Sequence, residues 1–368
     1  MPNELQYARP LVSVVLATYN EANHVQKCMD SLLAQETPDF DLEILAIDGG
    51  STDGTRQYLE GIAARHPHVR VIPNPKRRAP FAFNIGIREA KGPYVCIFGS
   101  HTLYQNDYIS VCLKELIAKC AGGCGGRVLT EPSSDKLEAR LVAFGMAHPF
   151  GSSTKSFRTQ PEGFADAVNY MVLRRDALVE VGGYSEALLR NQDNDLNQKL
   201  NANGHRLFCT WKTQCIYHPK GTVRDMFRYG YLNGFWNVIS FKENSSSMGL
   251  RHFVPFFFLV GLLFSLLLSI VGLLSPNPAY RFLALSFPAL LAVHLGAGTL
   301  AAIQVAVRNR FLGALWLPFV FLGFHFAYGL GTLVALLTGV SAPKSSPASP
   351  STFHQVPRTN ESVSTKSE

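Results

Sequence analysis

Hydrophobic positions in the N-terminal quarter of the chain follow two alternating periods. Short runs of apolar and β-branched residues, typical of buried strands, are followed by segments in which apolar residues recur every three or four positions, as on one face of a helix. The pattern predicts strands at residues 11–17, 42–47, 69–72 and 94–98, and helices at 24–35, 55–65 and 81–90. This alternation predicts an α/β fold with a mainly parallel sheet and right-handed crossovers.

Polar clusters stand directly after three of the predicted strands, at residues 18–21, 48–53 and 99–102. The carboxyl ends of parallel strands meet at one edge of a sheet, and the ligands of such sheets bind beyond that edge. The three clusters therefore predict a single ligand site, built by loops that are far apart in the chain.

The pattern is less regular from there to residue 250. It predicts a strand at 168–173 and a helix at 193–203. A further predicted helix, at 224–241, carries several aromatic residues, including Phe227, Tyr231 and Trp236. Aromatic residues on an amphipathic helix suit the interface of a bilayer. They suit docking on the soluble domain equally well, and both alternatives stay open.

Three long stretches beyond residue 252 are almost free of charge, at 253–274, 282–307 and 311–340. A helix of about 20 apolar residues crosses the ~30 Å hydrocarbon core of a bilayer, so each stretch is long enough to span it. The basic loop at Arg308 and Arg310 is expected on the cytosolic side, together with the N-terminal domain. Three spans place the tail from Ser341 outside, whereas a re-entrant third segment returns it to the cytosol.

Charge and cysteine content narrow the classes of function. The formal net charge is +7, yet no dense Lys/Arg run with interleaved aromatic residues occurs, which argues against nucleic-acid binding. Basic residues instead become frequent just before the apolar region, as expected of a face turned toward anionic headgroups or diphosphates. The seven cysteines complete no zinc pattern and predict mostly buried, reduced thiols in a cytosolic domain. The first residues lack the apolar core of a signal peptide.

Together these patterns predict five successive regions. They are an N-terminal extension at 1–10, a cytosolic domain at 11–220, an interface-helix region at 221–250, a transmembrane region of about three helices at 251–340, and a disordered tail at 341–368. The tail consists mainly of Ser, Pro, Thr and Lys and has too few apolar residues to form a core.

The segments VSVVLATYNEANHV, LAIDGGSTDGT and NIGIREAKG resemble the opening motifs of family 2 glycosyltransferases, and the resemblance extends over about residues 11–240. It implies the GT-A nucleotide-diphospho-sugar fold and a UDP-sugar donor. Asp48 and Asp53 are then expected to accept hydrogen bonds from the base or the ribose; alternatively, the Ser51–Asp53 segment forms only a turn and a helix cap. The positions that the resemblance places in the nucleotide-sugar pocket are Thr18, Tyr19, Asn20, Glu21, Asp48, Gly50, Ser51, Asp53, Asn84 and Ser100.

The family also has an Asp-x-Asp motif after the fourth strand, which holds a divalent metal ion against the donor diphosphate. This chain has Gly99, Ser100 and His101 there, and the succinoglycan-type exopolysaccharide glucosyltransferases, which it resembles most, have Asp-Ala-His. His101 is therefore the candidate metal ligand, for Mg²⁺ or Mn²⁺, or a cation that meets a phosphate directly. The alternative is a structural histidine, so metal dependence is left open.

The segment LLRNQDNDLNQKL, at residues 188–200, resembles the Glu-Asp motif whose aspartate is the general base of the family. The match makes Asp193 the candidate base, with Asp195 second. An inverting transfer needs such a carboxylate about 3 Å from the attacking oxygen. The start of a helix is expected to lower the pKa of Asp193. In the alternative interpretation, Asp193 only caps the helix.

The segment YHPKGTVRDMFRYG, at residues 217–230, stands where processive synthases carry Gln-x-x-Arg-Trp. Its Arg-Tyr-Gly again resembles the succinoglycan-type group. The resemblance makes His218, Arg224 and Arg228 candidates for offsetting the charge of the departing UDP. Because the Gln and the Trp are missing, transfer of a single residue is expected instead of polymer synthesis.

The sequence thus predicts an inverting enzyme that moves one hexose, expected to be glucose from UDP-glucose, to a polyprenyl-diphosphate-linked acceptor. The setting is exopolysaccharide or surface-glycan assembly by a multi-pass protein of the inner (plasma) membrane, with a cytoplasmic catalytic domain and other glycan-assembly enzymes as partners. One alternative is a transferase that uses the polyprenyl phosphate itself as acceptor. Another is a catalytically degenerate binding subunit, for which Gly99 in place of aspartate is the main support.

Overall fold

The structure is a computed structural model, and it describes residues 9–341. Its strands are β1 (Leu11–Thr18), β2 (Asp41–Asp48), β3 (Val69–Pro73), β4 (Tyr94–Gly99), β5 (Thr102–Tyr104), β6 (Gly123–Thr130), β7 (Gly163–Ala165), β8 (Val172–Arg174) and β9 (Leu207–Tyr217). Its α-helices are α1 (Val25–Leu33), α2 (Thr55–Arg65), α3 (Ala79–Glu89), α4 (Tyr108–Ala118), α5 (Leu137–Ala147), α6 (Pro149–Ser152), α7 (Arg175–Glu180), α8 (Gln192–Ala202), α9 (Val223–Glu243), α10 (Val254–Leu274), α11 (Ser286–Asn309) and α12 (Leu317–Thr338).

The strands form one mixed sheet in the order β3-β2-β1-β4-β8-β6-β9-β5, with β7 paired to β9. Strands β1 to β4 are parallel, as predicted, whereas β8 runs antiparallel between β4 and β6. The strand predicted at 168–173 forms only over Val172–Arg174. Tyr170 has a positive φ of 54°, a conformation that a strand residue does not adopt.

The register of the parallel strands aligns their carboxyl ends. Thr18 lies opposite Asp48 in the β1–β2 pair, and Ala17 lies opposite Gly99 in the β1–β4 pair. Successive side chains of each strand point to opposite faces of the sheet. Val14 therefore joins the core under α1 and α4, while Val15 joins the core under α3 and α8. With both faces covered, the edge formed by the strand ends is left for the site.

Helix α9 contacts the sheet domain at both of its ends. At its start, a side chain at Gly221 would meet Ser133 and Ala139 of that domain, and Thr222 caps the helix by accepting the N–H of Asp225 at 3.1 Å. Just past its end, Asn244 donates to Asp195 of α8 at 3.0 Å. The aromatic helix predicted at 224–241 therefore docks on the protein, which supports the docking alternative over a helix that contacts only the bilayer.

Three helical segments, Leu250–Leu274, Pro278–Asn309 and Leu312–Thr338, are long and apolar enough to cross a membrane. Helix α12 lies directly along α9. A side chain at Gly331 would be 1.9 Å from the carbonyl oxygen of Tyr231, and one at Gly234 would be 2.0 Å from that of Tyr328. The two backbones therefore touch through glycines.

Two predicted regions fall mainly outside the described residues. These are the N-terminal extension, of which residues 1–8 are not described, and the disordered tail, of which only Ser341 is described. The remaining region bounds, 11–220, 221–250 and 251–340, stay predictions. The seven cysteines are free, and six of them are buried.

Candidate functional site

The loops after β1 and β2 are cross-linked into one surface. The Oγ of Ser51 accepts the N–H of Asn20 at 2.9 Å, and the Oδ1 of Asn20 accepts the N–H of Thr52 at 2.9 Å. The Oγ1 of Thr55 accepts the N–H of Glu21 at 2.8 Å. The structure therefore brings Asn20, Glu21 and Ser51 together, as predicted for a common ligand site.

Asp48 and Asp53, the two predicted hydrogen-bond acceptors of this surface, already accept hydrogen bonds from the loops themselves. Asp48 is buried and accepts the N–H of Gly50 at 2.9 Å and the hydroxyl of Ser51 at 2.6 Å. Asp53 is exposed and accepts from Thr55 and from the N–H of Ala22. Hydrogen bonds from Thr55, and then from Ala22, hold the pKa of Asp53 below its ordinary value. Both carboxylates thus shape the loops.

A flat patch of backbone lies between an aromatic ring and a guanidinium. A side chain at Gly49 would be 3.0 Å from the ring of Tyr19, which is exposed. Gly50 has a positive φ of 78°, and a side chain there would be 3.6 Å from the guanidinium of Arg77. Only glycine leaves this patch open to a planar group. Sequence reasoning missed Arg77; the signal was the Lys-Arg-Arg run that starts at Lys76 and follows β3.

The loop after β4 brings His101 to the loop after β1. The Nε2 of His101 is 3.0 Å from a carboxylate oxygen of Glu21, and its ring centroid is 4.4 Å from that of His24. Burial, and then the neighbouring His101, lower the pKa of His24. Ser100 is buried in the same turn, and Thr18 is buried at the end of β1. The sequence prediction contained Glu21 and His101 but missed His24.

Asp193 lines a cavity of about 180 Å³ beyond the end of β4, together with Phe83, Gly99, Tyr170 and Tyr184. Burial raises the pKa of Asp193 from 3.8 to about 6, and a hydrogen bond from Tyr184 opposes the rise. The predicted lowering of its pKa by the helix start is wrong, because burial is the largest influence on this carboxyl and raises its pKa. The residue that caps α8 is Asn191, so Asp193 is not the cap.

The chain is similar to known proteins of the family that its loop motifs resemble. Residues 13–182 match the model of the family described as glycosyl transferase family 2. These residues form a family 2 glycosyltransferase domain. The chain is a glycosyltransferase, and its sheet belongs to the GT-A fold.

Two curated relatives and one solved structure illustrate the likeness. The succinoglycan biosynthesis protein ExoA of Rhizobium meliloti is 28% identical over 72% of this chain and 80% of its own length. A Methanococcus voltae dolichyl N-acetyl-α-D-glucosaminyl phosphate 3-β-D-2,3-diacetamido-2,3-dideoxy-β-D-glucuronosyltransferase is 25% identical over 61% of this chain and 76% of its own length. The mannosyltransferase PcManGT of Pyrobaculum calidifontis, solved with GDP-Man and Mn²⁺, shares the fold. Its TM-score is 0.55 at 21% identity, and the match covers 90% of this chain and 88% of that one.

Two predicted site residues of the glycosyltransferase domain have structural partners. Asp195 is buried, pairs with Lys199 at 2.8 Å and accepts from Asn244, so it does not line the cavity of Asp193. Asn84 is also buried, and its amide binds both the N–H and the carbonyl of Tyr184 at 2.9 Å. The structure therefore does not support a contact between Asn84 and a nucleotide. Asn84 instead positions Tyr184, which is hydrogen-bonded to Asp193.

The three predicted diphosphate residues separate in space. The main-chain N–H of His218 donates to the carbonyl of His101 at 3.3 Å, which places His218 beside the β4 loop. Arg224 and Arg228 are exposed on α9 and line neither the cavity of Asp193 nor the larger cavity next to it. The structure therefore brings only His218 to the glycosyltransferase site.

A second cavity, of about 570 Å³, lies between the glycosyltransferase domain and the apolar helices. Its polar part includes Arg158, Asn194 and Arg251, and its apolar part includes Phe258 and Phe324. Asn191 and Asn194, which flank Asp193 in the sequence, line it, so the start of α8 contributes to both cavities, although no residue lines both.

Arg158 is a cation of this cavity that sequence reasoning missed. Its guanidinium lies 4.2 Å from the ring centroid of Phe157 and 5.2 Å from that of Tyr217, and it is hydrogen-bonded to Tyr229. The Nε of Arg158 is buried and has no hydrogen-bond partner among the described residues. A buried, unpaired donor of this kind is suited to an anion.

Proposed function

We propose that the protein is an inverting glycosyltransferase that moves one hexose, glucose from UDP-glucose, to a sugar carried by a polyprenyl diphosphate in exopolysaccharide or surface-glycan assembly. The observation that carries the proposal is the position of Asp193, which lies in a cavity at the carboxyl end of β4 and on the same helix turn as Asn191 and Asn194 of a larger cavity over the apolar helices. One relative acts in succinoglycan biosynthesis and another on a dolichyl-linked sugar, which supports a role in the assembly of lipid-linked or surface glycans.

In the proposed reaction, Asp193 is the general base. An acceptor hydroxyl attacks the anomeric carbon of the hexose from the face opposite UDP, and its proton passes to a carboxylate oxygen of Asp193. The bond between the anomeric carbon and the diphosphate oxygen breaks, and UDP leaves with the electron pair. A carboxylate whose pKa is about 6 is ionised at neutral pH and yet is more basic than an ordinary aspartate. Asp195 is not proposed as the base, since it is paired with Lys199.

The donor is proposed to lie on the loops after β1 and β2. The patch between Tyr19 and Arg77 suits the base and ribose, because it offers an aromatic face, bare backbone and a cation. Asp48 and Asp53, which also hold the loops in shape, stay candidates for hydrogen bonds to the ribose. From this patch the diphosphate would extend towards Ser100, His101 and His218 at the β4 loop.

The acceptor is proposed to occupy the cavity of about 570 Å³. Its diphosphate would meet Arg158 and Arg251, while the first isoprene units would contact the apolar residues Phe258 and Phe324. The lipid would thereby bring its sugar to Asp193 from the membrane side. Anchoring the enzyme in the same bilayer raises the effective concentration of such an acceptor.

A transfer assay with matched lipid acceptors tests this function. Protein in nanodiscs is incubated separately with radiolabelled UDP-glucose, UDP-galactose, UDP-N-acetylglucosamine and GDP-mannose. Each donor is paired either with a polyprenyl-diphosphate-linked sugar or with polyprenyl monophosphate. We expect label to enter the lipid fraction from UDP-glucose with the diphosphate-linked acceptor. Transfer to the monophosphate alone would replace the proposal with its alternative, and folded protein that transfers from no donor would refute the enzyme assignment.

We further propose that α10 and α11 cross the inner membrane as a hairpin and that α12 lies flat beneath the cytoplasmic catalytic domain. Helix α12 is about 33 Å long, from 22 residues at 1.5 Å each. It stays beside the domain or α9 along its length. Near its start, Leu317 is 3.3 Å from a side chain placed at Gly145, and just past its end the carbonyl of Gly339 accepts from Lys242 at 3.1 Å. A helix held at both ends in this way would cross the bilayer only if it left the domain.

Reporter fusions test this topology. We expect green fluorescent protein fused after Ser341 to be fluorescent and alkaline phosphatase fused at the same position to be inactive. In each fusion the reporter would lie in the cytosol, where the first folds and the second does not become active. Insertion of the phosphatase at Pro276, between α10 and α11, should give an active reporter and serves as the matched control. Phosphatase activity at Ser341 equal to that at Pro276 would show that α12 spans the membrane.

A further inference from the structure

We propose that Glu21, His24 and His101 together form a binding site for a divalent transition-metal ion. The three side chains each offer one ligand atom, and these atoms lie within 4.8 Å of one another. Ligands of a common ion lie about 3–4 Å apart, given metal–ligand distances of about 2.0–2.2 Å. Small side-chain rotations would therefore bring all three onto one ion.

The main chain holds the three residues in place. The carbonyl of Glu21 accepts the N–H of His24 and that of Val25, each at 2.8 Å, so Glu21 and His24 belong to a single turn at the start of α1. The N–H of Glu21 is fixed to Thr55. The carbonyl of His101 accepts the N–H of His218. The site is thus assembled by the ends of β1, β4 and β9.

The ligand set selects the kind of ion. Two imidazoles and one carboxylate are softer than the carboxylate pairs that suit Mg²⁺, and they favour Mn²⁺, Co²⁺, Fe²⁺ or Zn²⁺. Gly99 contributes no carboxylate, whereas the loop after β1 supplies Glu21. Three protein ligands leave coordination positions open. When bound, such an ion would supply positive charge to the oxygens of a donor diphosphate.

The role of the ion at the donor diphosphate rests on the proposed function, whereas binding of the ion does not. The site lies beside the β4 loop, to which the diphosphate was assigned above. Binding of the ion is therefore measured first without any donor or acceptor, so that its failure is distinct from a failure of glycosyl transfer. The competing interpretation is that Glu21 and His101, 3.0 Å apart, form only an ion pair.

Direct titration of the full-length protein tests the site. Protein purified in detergent and treated with EDTA is titrated with Mn²⁺, and the free ion is measured by electron paramagnetic resonance. We expect one ion per chain, displaced by Zn²⁺ or Co²⁺ at lower concentrations than by Mg²⁺. His24→Ala and Glu21→Gln should each weaken binding by at least about tenfold. If the site serves the donor, UDP should tighten Mn²⁺ binding in the wild type and not in His24→Ala.

His66→Ala is the matched control. His66 and His68 form another pair of imidazoles, with ring centroids 5.7 Å apart, and among the described residues neither belongs to a cluster of potential metal ligands. The Mn²⁺ affinity of His66→Ala should equal that of the wild type. Binding that is unchanged in His24→Ala and Glu21→Gln would overturn the proposal and leave an ion pair only. Equal displacement of Mn²⁺ by Mg²⁺ and Zn²⁺ would overturn the preference for transition metals.

Discussion

Asp193→Asn will lower the rate of glycosyl transfer by about 10²–10⁴-fold and leave UDP binding nearly unchanged, because the amide cannot accept the proton of the acceptor hydroxyl. Asn has almost the same shape as Asp, and Asp193 belongs to the cavity rather than to the loops after β1 and β2. The rate is measured with the lipid acceptor, and UDP binding by calorimetry. A variant that keeps more than a tenth of the wild-type rate would mean that another group is the base.

The same substitution will stabilise the fold at neutral and alkaline pH. The pKa of Asp193 rises from 3.8 to about 6 on folding, so the fold favours the neutral carboxyl. Stability is therefore lost as the pH rises from about 4 to about 6, and the loss persists above that range. An uncharged Asn avoids a cost of about 1–3 kcal/mol. Thermal unfolding at pH 8 should occur at a higher temperature in Asp193→Asn than in the wild type, and the difference should disappear at pH 4.

Two controls separate the base from a merely structural acid. In the wild type, kcat/KM should rise with pH through about 6 as Asp193 loses its proton. Asp195→Asn should instead affect stability more than catalysis, since it removes the buried negative charge that pairs with Lys199. We expect reduced thermal stability in that variant, with an unchanged pH dependence of the remaining activity. A flat pH profile from 5 to 7 in the wild type would argue against Asp193 as the titrating group.

Gly331→Ala and Gly234→Ala will each destabilise the protein by about 3 kcal/mol, by overpacking the contact between α9 and α12. The added methyl group would lie 1.9 Å from the carbonyl oxygen of Tyr231 in the first variant and 2.0 Å from that of Tyr328 in the second. Both obstacles are backbone atoms, which cannot rotate away as the end of a side chain can. The helices must therefore separate, and the cavity that α9 and α12 line together should change shape.

Gly296→Ala provides the matched control for this contact. Gly296 lies on α11 with nothing within 4 Å of an added methyl group, so alanine there should be neutral or stabilising by up to about 1 kcal/mol. Thermal unfolding in detergent, followed by tryptophan fluorescence, compares the three variants with the wild type. If Gly331→Ala and Gly296→Ala unfold at the same temperature, the close packing of α9 on α12 does not hold in solution.

Much of the site was predictable, since its residues adjoin strand ends. The clusters after β1, β2 and β4 are local in sequence, and parallel strands must bring their carboxyl ends to one edge. The family assignment and the α/β fold were confirmed for the same reason. The roles of individual site residues, the donor, the acceptor and the metal stay predictions.

The sequence did not reveal burial or long-range contacts. The lowered pKa predicted for Asp193 used the helix start alone and could not include the burial that raises it. Asn84 stood in a recognised motif, but its amide binds Tyr184, which lies 100 positions further along the chain. His24, Arg77 and Arg158 were missed because each also has a neighbour that is distant in the chain. These neighbours are His101, Gly50 and Tyr229, respectively.

By itself, the sequence determined the alternation of the first four strands with three helices along the chain, the edge at which the ligand loops meet, and the presence of long apolar helices. These features depend on local periodicity and on the length of apolar runs. Only the tertiary structure decided which acid faces the cavity and which is paired with a lysine, and that α12 lies along α9. Those outcomes depend on burial and on distances between elements far apart in the chain, which no local pattern contains.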